Sequence, residues 1–358
     1  MKFIHCADLH LDSKLESNIG KEKAKERRNE ILLTFERIVN LAKSEGAVAI
    51  MISGDLFDTK NIAAKARNLV WDMIVSNPEI DFLYLRGNHD WKTNFTDGRK
   101  IPDNFKCFDT DWVEYQYGEV SVFGKETMED DANYASLITE PGRVNIVMLH
   151  GQEVRSNVKD DASLIALPAL KNRNIDYLAL GHIHSYKKEI LDNRGVYCYS
   201  GCPEGRGFDE CGEKGVVLLE VCEKQIKSCF IPMANRVLHE VKADITGKET
   251  ATDILRVIDE AVKHIPSKDM VKIILTGYYT VDTEKDFTYF EQAMEGRFYF
   301  LKWKDMSRLS IDYREYENMV SLKGEFVRTV MKGKESEEEK ERMILLGIRA
   351  LSGEDLEL

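Results

Sequence analysis

The sequence lacks the features by which membrane-spanning, disulfide-stabilised and zinc-ribbon proteins are usually recognised. No apolar run approaches the roughly 20 residues that a membrane span needs, and the chain passes directly from Met1 into a strand rather than a signal peptide. The seven cysteines are odd in number and form no Cys-x-x-Cys pair, so neither a disulfide framework nor a zinc ribbon is expected. We therefore expect a cytoplasmic protein with no membrane partner.

An excess of basic charge is also missing. The chain has 50 lysines and arginines against 62 aspartates and glutamates, a net charge of −12. Proteins that bind nucleic acid mainly through their own surface field tend to be basic, which weighs against a strong stand-alone DNA binder. A nuclease is not excluded, because bound divalent metals invert the local charge of an acidic pocket and a partner subunit can contribute phosphate contacts.

The pattern of apolar runs predicts an α/β protein with more than one domain. At 358 residues the chain exceeds the size at which one core usually stops growing. Apolar strands alternate with amphipathic helices over residues 21–45 and 63–75, which predicts a parallel sheet covered by helices. Further helices are expected at 131–138 and 161–170. Beyond His184 several strands follow without helices between them, which predicts an antiparallel addition and two packed sheets.

The C-terminal third of the sequence predicts smaller additions. A boundary near residues 232–236 separates a domain at 1–232 from an α+β module at 236–309 and a helical region at 310–358. Aromatic and basic residues alternate over 297–304, a pattern that fits a strand buried on one face better than a base-stacking surface. The helical region has an amphipathic pattern suited to docking on its own protein or on a partner.

Residues of metal-ligand type follow the ends of five predicted strands. In α/β proteins ligands bind outside the carboxyl ends of strands. Helix capping and turn chemistry would explain Asp55 and Asp58 taken alone. They do not explain why five of only eight histidines fall in these turns, which contain Asp8 and His10, Asp55 and Asp58, Asn88 and His89, His150, and His182 and His184.

The donor types in these turns favour a site for two divalent ions. They are carboxylate, amide and imidazole groups without a thiolate, a set that suits octahedral ions of the manganese, iron or zinc group. Two metals about 3.5–4 Å apart can hold a bridging hydroxide and the non-reacting oxygens of a phosphoryl group. Cys198, Cys202 and Cys211 are close in sequence, but the surrounding glycines and proline indicate a loop rather than a soft-metal site.

Five motifs, taken together and in order, resemble the signature of the calcineurin-like metallophosphoesterases. They are Asp8-x-His10, Gly54-Asp55-x-x-Asp58, Gly87-Asn88-His89-Asp90, His150-Gly151 and Gly181-His182-x-His184. The opening residues 3–13 and the turn at 201–208 further resemble the bacterial SbcD-type and YhaO-like DNA repair exonucleases. This resemblance covers residues 1–232, and the C-terminal module matches only in kind, as the capping domain of such nucleases.

The resemblance implies a four-layer fold, two β-sheets flanked by helices, followed by the capping domain and the helical tail. It implies two divalent ions, with manganese expected and iron, zinc or magnesium as alternatives. Asp58, which stands where archaeal members of the nuclease group have a histidine, would orient His89, and His89 would protonate the leaving oxygen. The implied metal ligands are Asp8, His10 and His184 for one ion, Asn88, His150 and His182 for the other, and Asp55 as the bridge.

Three functions are open on this basis. The first is a manganese-dependent DNA exonuclease or endonuclease that works with an SbcC-like ATPase through the C-terminal helices; a homodimer is a further expectation. The second, motivated by the acidic charge, is a phosphodiesterase or phosphatase acting on nucleotides or other small phosphoesters. The third is a non-catalytic scaffold. Such scaffolds usually lose ligands, whereas every ligand position here is filled, so this hypothesis is the weakest.

Overall fold

The chain divides into two compact units, Met1–Val237 and Leu238–Leu358. No helix among the described residues is long and apolar enough to cross a membrane. The further division of the second unit into a capping domain and a helical region stays a prediction. The computed structural model describes residues 1–15, 19–58, 62–90, 95–96, 98–126, 134–156, 164–280, 283–310, 316 and 319–351.

The first unit alternates strands and helices in its first part and consists mainly of strands thereafter. Its helices are α1 (Lys21–Glu45), α2 (Ala64–Val75) and α3 (Leu167–Leu170), with a 3-10 turn at Tyr134–Ser136. Its strands are β1 (Lys2–Cys6), β2 (Ala49–Ser53), β3 (Asp81–Leu85), β4 (Phe105–Cys107), β5 (Val113–Tyr117), β6 (Val120–Gly124), β7 (Val144–His150), β8 (Gln152–Val154), β9 (Leu164–Ala166), β10 (Tyr177–Gly181), β11 (Lys187–Ile190), β12 (Val196–Tyr199), β13 (Gly215–Cys222) and β14 (Gln225–Pro232).

Two six-stranded sheets organise this unit, in the orders β14-β13-β1-β2-β3-β4 and β11-β12-β10-β7-β6-β5. Strands β1 to β4 run parallel, and β13 joins β1 antiparallel. In the second sheet β12, β10, β7 and β6 run parallel, with antiparallel edge strands β11 and β5. The late strands therefore extend both sheets instead of forming a separate antiparallel layer, and β12 is parallel to β10.

The core of the first unit consists of three apolar clusters, one between the two sheets and one on the outer face of each sheet. Phe3 and Met51 of the first sheet pack against Ile146 and Ala179 of the second. On the outer face of the first sheet, α1 and α2 contribute residues such as Phe35 to a second cluster. The predicted helix at 21–45 coincides with α1, whose apolar stripe is buried and which ends before Gly46 in the left-handed conformation. The fold class predicted from the sequence is confirmed.

Two predicted helices of this unit are wrong in extent. In the segment expected as a helix at 131–138, the described residues form only the 3-10 turn at Tyr134–Ser136, and residues 131–133 lie outside the described part. In the segment at 161–170, residues 161–163 lie outside the described part; of the others, Leu164–Ala166 form β9, which pairs with β8, and Leu167–Leu170 form the helix. By periodicity alone, a short apolar run fits a helix as well as a strand. Pairing with β8 makes Leu164–Ala166 a strand.

The second unit contains a three-stranded parallel sheet, in which Met270–Thr276 lies between Leu238–Asp244 and Phe300–Asp305, and a two-stranded parallel pair of Tyr278–Tyr279 with Arg308–Leu309. Two of its helices pack on one face of the sheet around Ile254, Ile258 and Phe290. The last two helices pair through Val327, Val330, Ile344 and Ile348. Its elements are β15 (Leu238–Asp244), α4 (Ala251–Val262), β16 (Met270–Thr276), β17 (Tyr278–Tyr279), α5 (Phe287–Met294), β18 (Phe300–Asp305), β19 (Arg308–Leu309), α6 (Leu322–Met331) and α7 (Glu337–Leu351).

The alternating segment at 297–304 separates its aromatic and basic side chains. Trp303 packs on Phe287 and Phe290 of α5, in agreement with the buried-face interpretation. Lys302 and Lys304 alternate with it along β18 and therefore point to the opposite face. Their register partners on β16 are Lys272 and Ile274, and Lys242 of β15 also pairs with Ile274. This face thus carries four lysines, of which Lys242, Lys302 and Lys304 are exposed.

Candidate metal centre

The turns that follow β1, β2, β3, β7 and β10 meet between the two sheets of the first unit. Backbone hydrogen bonds tie them together: Asp8 donates to Gly54 O over 3.0 Å and His10 donates to Asp55 O over 3.0 Å. Across the sheets, Nδ1 of His150 lies 2.9 Å from Ser53 O. The carboxyl ends of strands from both sheets therefore bring the candidate residues to one place, as the rule for ligand sites in α/β proteins predicts.

Unusual backbone conformations mark these turns. Asp8, His10, Asp55 and His182 have φ values of 53°, 46°, 52° and 100°. Residues other than glycine seldom adopt positive φ, and such strain of about 1–3 kcal/mol each persists mainly at functional sites. A hydrogen-bond contact holds two of these strained residues in place, because the His182 amide donates to both oxygens of the Asp8 carboxylate, at 2.9 and 3.1 Å.

Two glycines allow the sheets to approach closely at the site. A Cβ on Gly54, where φ is 93°, would lie 2.0 Å from Nδ1 of His150. A Cβ on Gly181 would lie 1.9 Å from the carbonyl oxygen of Ser53. Neither side chain nor backbone can yield that much, so both positions require glycine to let His150 reach the centre.

One group of donors contains Asp8, His10 and His184. One ligand atom from each of the three lies within 4.8 Å of the others. Nε2 of His10 is completely buried and has no hydrogen-bond partner among the residues that the structure describes. It lies 3.8 Å from Oδ2 of Asp55. A buried imidazole nitrogen without a partner, beside two carboxylates, fits a bound cation.

A second group contains Asn88, His150 and His182. Oδ1 of Asn88 lies 3.0 Å from Nε2 of His150 and 3.3 Å from Nδ1 of His182. Nε2 of His150 lies 3.4 Å from Oδ2 of Asp55. The same Asp55 oxygen therefore faces both groups, which is the position that a bridging carboxylate needs.

The charges in this site are strongly coupled. Burial alone would raise the pKa of Asp55, but the hydrogen bond and charge of His150, together with His10, hold it well below its usual range. Burial lowers the pKa of His150, yet Asp55 and Asp8 outweigh this effect and raise it to about 9. For His182 burial and the neighbouring His150 lower the pKa. Without an ion, a proton on His150 thus compensates the carboxylates, and a cation can replace it.

The predicted acid His89 and its predicted partner Asp58 lie beside these groups. Nδ1 of His89 is 3.4 Å from Oδ1 of Asp58, but Nδ1 of His10 is closer to the same oxygen, at 2.9 Å. The contact with His10 was not predicted, and it is the largest cause of the lowered pKa of Asp58. The His89 side chain is 45% exposed, so its ring can reach a substrate that approaches from solvent.

Three residues without a predicted role also contact the site, namely Asp90, Arg206 and Glu210. Asp90 accepts hydrogen bonds from the amides of Gly87 and Leu56, at 2.7 and 2.8 Å, and so joins two of the turns. Glu210 lies 2.6 Å from Nδ1 of His184 and is held ionised, because His184 and Arg206 outweigh the effect of burial and lower its pKa. No periodic pattern indicates Glu210, which follows the glycine-rich turn at 201–208.

The three clustered cysteines are not brought together among the described residues. Cys202 alone joins a donor group, with His184 and Glu210, in which the ligand atoms lie within 4.8 Å of one another. Burial is the main cause of the raised pKa of its thiol. Such a protonated thiol is a poor metal ligand, in agreement with the interpretation of this segment as a loop.

Comparison with known proteins gives one family and several distant relatives. The family model for calcineurin-like phosphoesterases matches residues 1–186, more than half of the chain. The uncharacterized metallophosphoesterase YhaO of Bacillus subtilis is 27% identical over 298 residues, which are 77% of this chain and 72% of YhaO. The DNA double-strand break repair protein Mre11 of Saccharolobus solfataricus is 25% identical over 349 residues, 88% of this chain and 85% of that protein. A component of the nuclease SbcCD of Escherichia coli is 23% identical over 266 residues, 61% of this chain and 64% of that component.

Proposed function

The chain belongs to the calcineurin-like phosphoesterase family and is a metal-dependent phosphoesterase, and we propose that it is a manganese-dependent DNA nuclease. The coarser activity, hydrolysis of phosphate esters, follows from the family. The finer one, cleavage of phosphodiester bonds in DNA during repair, is the proposal. A cytoplasmic location belongs to the same proposal.

One observation carries the metal-dependent chemistry of this proposal, namely two donor groups that share a single carboxylate oxygen. We assign Asp8, His10 and His184 to one ion and Asn88, His150 and His182 to the other. Asp55 joins them, since its Oδ2 is 3.8 Å from Nε2 of His10 and 3.4 Å from Nε2 of His150. The unpartnered Nε2 of His10 and the absence of thiolates from these groups support divalent ions.

In this proposal His89 protonates the leaving oxygen, and neighbouring groups hold it in position. When bound, two divalent ions supply Lewis acidity and a water activated for attack at neutral pH. His89 stands on the exposed side of the ligands, where its ring can give a proton to the leaving oxygen. Asp58 lies 3.4 Å from Nδ1 and can accept its proton, so the proton that His89 gives to the leaving oxygen is the one on Nε2. The His89 amide donates to Oδ1 of Asp55 over 2.9 Å, which fixes the turn.

The choice of DNA as substrate rests on the relatives. Mre11 of S. solfataricus is a DNA double-strand break repair protein, and its similarity extends over 88% of this chain, beyond the first unit. The E. coli relative is one component of the nuclease SbcCD, which supports an SbcC-like ATPase as partner. Helices α6 and α7 are the proposed docking element, because Leu322 and Met343 on them are exposed apolar side chains. A homodimer remains part of the proposal.

A second candidate is a phosphodiesterase or phosphatase for nucleotides or other small phosphoesters. The net charge of −12 favours it, because an acidic surface repels a long polyanion more than a small ester. The same residues would perform the chemistry, so only the substrate distinguishes the two candidates.

The test uses the purified chain with Mn²⁺, end-labelled linear duplex DNA and, in parallel, bis(p-nitrophenyl) phosphate. We expect both substrates to be hydrolysed. His89→Ala should lose about 10²–10⁴-fold of the DNA activity, the range for a general acid, and clearly less of the activity on the small diester, because p-nitrophenolate leaves without a proton. His264→Ala, which changes an exposed histidine of the second unit, is the control and should keep both activities. The second candidate would be favoured if the small diester or nucleotides were hydrolysed while DNA stayed intact, even after addition of an ATPase encoded beside this chain.

A further inference from the structure

We propose that Glu210, held by Arg206, is the positioning residue for His184, and that the same guanidinium connects it to Asp58. The inference rests on the proposed function insofar as His184 is taken to be a metal ligand. It concerns the glycine-rich turn at 201–208, which contains Arg206, and Glu210 just after it. The resemblance of this turn to nucleases assigns no role to either residue.

Every oxygen of Glu210 is engaged by a donor close to the metal centre. Its Oε1 lies 2.6 Å from Nδ1 of His184 and accepts from Nε and Nη2 of Arg206 at 3.1 and 2.9 Å. Its Oε2 accepts from the Arg206 amide at 2.7 Å and from the Cys202 thiol at 3.6 Å. The residue is only 4% exposed, so these contacts rather than solvent orient the carboxylate.

This contact decides which nitrogen of His184 can bind an ion. An ionised carboxylate only accepts, so a 2.6 Å contact requires the imidazole proton on Nδ1. Nε2 then keeps its lone pair for the group formed with Asp8 and His10. The backbone of His184 is fixed as well, since its carbonyl accepts from Nζ of Lys214 at 2.7 Å and from the Cys202 amide at 3.3 Å.

Arg206 extends this arrangement to the other side of the site. Its Nη1 lies 3.4 Å from Oδ1 of Asp58, the oxygen that also faces His10 and His89. One planar guanidinium therefore contacts both the carboxylate behind His184 and the carboxylate behind His10. A lysine in its place has no fork with which to hold two carboxylates at once, so Arg206→Lys is not a conservative change.

A matched control lies six residues before Glu210. Glu204 is 3% exposed and is likewise bound to an arginine, since its Oε1 accepts from Nη1 of Arg27 at 2.9 Å. Its Oε2 accepts from the Thr34 hydroxyl at 3.0 Å and from the Asn235 amide at 2.6 Å. Glu204 joins none of the metal-type donor groups found among the described residues. Glu204→Gln thus perturbs a buried glutamate and arginine pair of the same segment without reaching a histidine.

The experiment measures metal binding and uses no DNA substrate. Glu210→Gln, Arg206→Lys and Glu204→Gln are stripped of metal, checked for folding by circular dichroism, and titrated with Mn²⁺ by calorimetry and with Co²⁺ by visible absorption. We expect Glu210→Gln to weaken one of two binding events by about 10–100-fold, the usual effect of losing such a partner, and to alter the Co²⁺ spectrum. Arg206→Lys should act in the same direction, and Glu204→Gln should keep the wild-type affinity and spectrum.

The outcomes separate this inference from the proposed function. Wild-type affinity and spectrum in folded Glu210→Gln would overturn the positioning role. An equal loss of affinity in Glu204→Gln would also overturn it, because the effect would then be general destabilisation. Two ions bound by the wild type, together with intact DNA in the separate cleavage assay with and without the ATPase, would refute the nuclease and leave the positioning role standing. A wild type that binds no ion would refute both.

Discussion

Binding of metal should release a proton from His150. Burial lowers the pKa of this imidazole, but Asp55 and Asp8 raise it to about 9 in the metal-free chain. At pH 7 about 99% of a group with that pKa is protonated, and a histidine ligand must be neutral. The apparent affinity at pH 7 is therefore expected to be about 100-fold below its limit at high pH, a cost of about 2.7 kcal/mol. Between pH 7 and 8.5 it should rise about tenfold per pH unit.

The same pKa shift determines how the stability of the metal-free protein changes with pH. The folded pKa lies above the unfolded value of 6.5. Protonated His150 thus stabilises the metal-free chain fully below pH 6.5, and this contribution is lost as pH rises through about 9. Metal affinity improves over the same interval, so the difference in melting temperature between metal-bound and metal-free chain should widen from pH 7 to pH 9.

Calorimetry at pH 7 in buffers of different ionisation enthalpy measures the released protons. We expect about one proton from His150 per chain for one of two binding events, declining above pH 9. His150→Gln is the control, because an amide oxygen can bind an ion without losing a proton. Binding without proton release, with an affinity that does not change between pH 7 and 8.5, would refute the coupling of His150 with Asp55.

Three further predictions test the fold and the substrate. Burial lowers the pKa of His5 to about 3, so the chain should lose about 1.4 kcal/mol of unfolding free energy per pH unit below 6.5. Urea unfolding of the metal-free chain at pH 7 and 5 should give a smaller loss for His5→Phe, and equal losses would contradict this. Gly54→Ala should abolish metal binding, because the added Cβ would collide with His150. Gly46→Ala is the control: its Cβ would meet nothing within 4 Å, so it should bind metal and lose only about 1 kcal/mol of stability. Equal metal affinities of the two variants would contradict this prediction. In filter binding at several salt concentrations, Lys302→Ala with Lys304→Ala should weaken DNA binding and reduce the salt slope by about 2, with hydrolysis of the small diester unchanged. An unchanged salt slope would show that these lysines do not contact phosphates.

The strands that carry the candidate ligands could be predicted because burial on both faces makes them continuous apolar runs. Ala49–Ser53 and Tyr177–Gly181 are completely buried, and each ends at a glycine or serine turn with polar residues behind it. Their arrangement in two sheets could not be predicted in the same way. Strand β13 pairs with β1 from the other end of the unit, and local periodicity contains no information on such pairing.

The same distinction applies to the site. The motifs identified the seven donors, and the structure brings them together in two groups around Asp55; their roles as ligands stay proposals. The contact between Asp58 and His10 joins two turns in which Asp8, His10 and Asp55 have positive φ values, a conformation that no spacing rule predicts. Glu210 was missed because it lies in a glycine-rich loop, where a buried glutamate has no sequence pattern of its own.

The most direct test of the two-ion site is anomalous diffraction from crystals grown or soaked with Mn²⁺. Two anomalous peaks about 3.5–4 Å apart, with Asp55 between them, are expected from the shared carboxylate. One peak should be bound by Asp8, His10 and His184, and the other by Asn88, His150 and His182. A single peak, or two peaks of which neither contacts Asp55, would contradict the account.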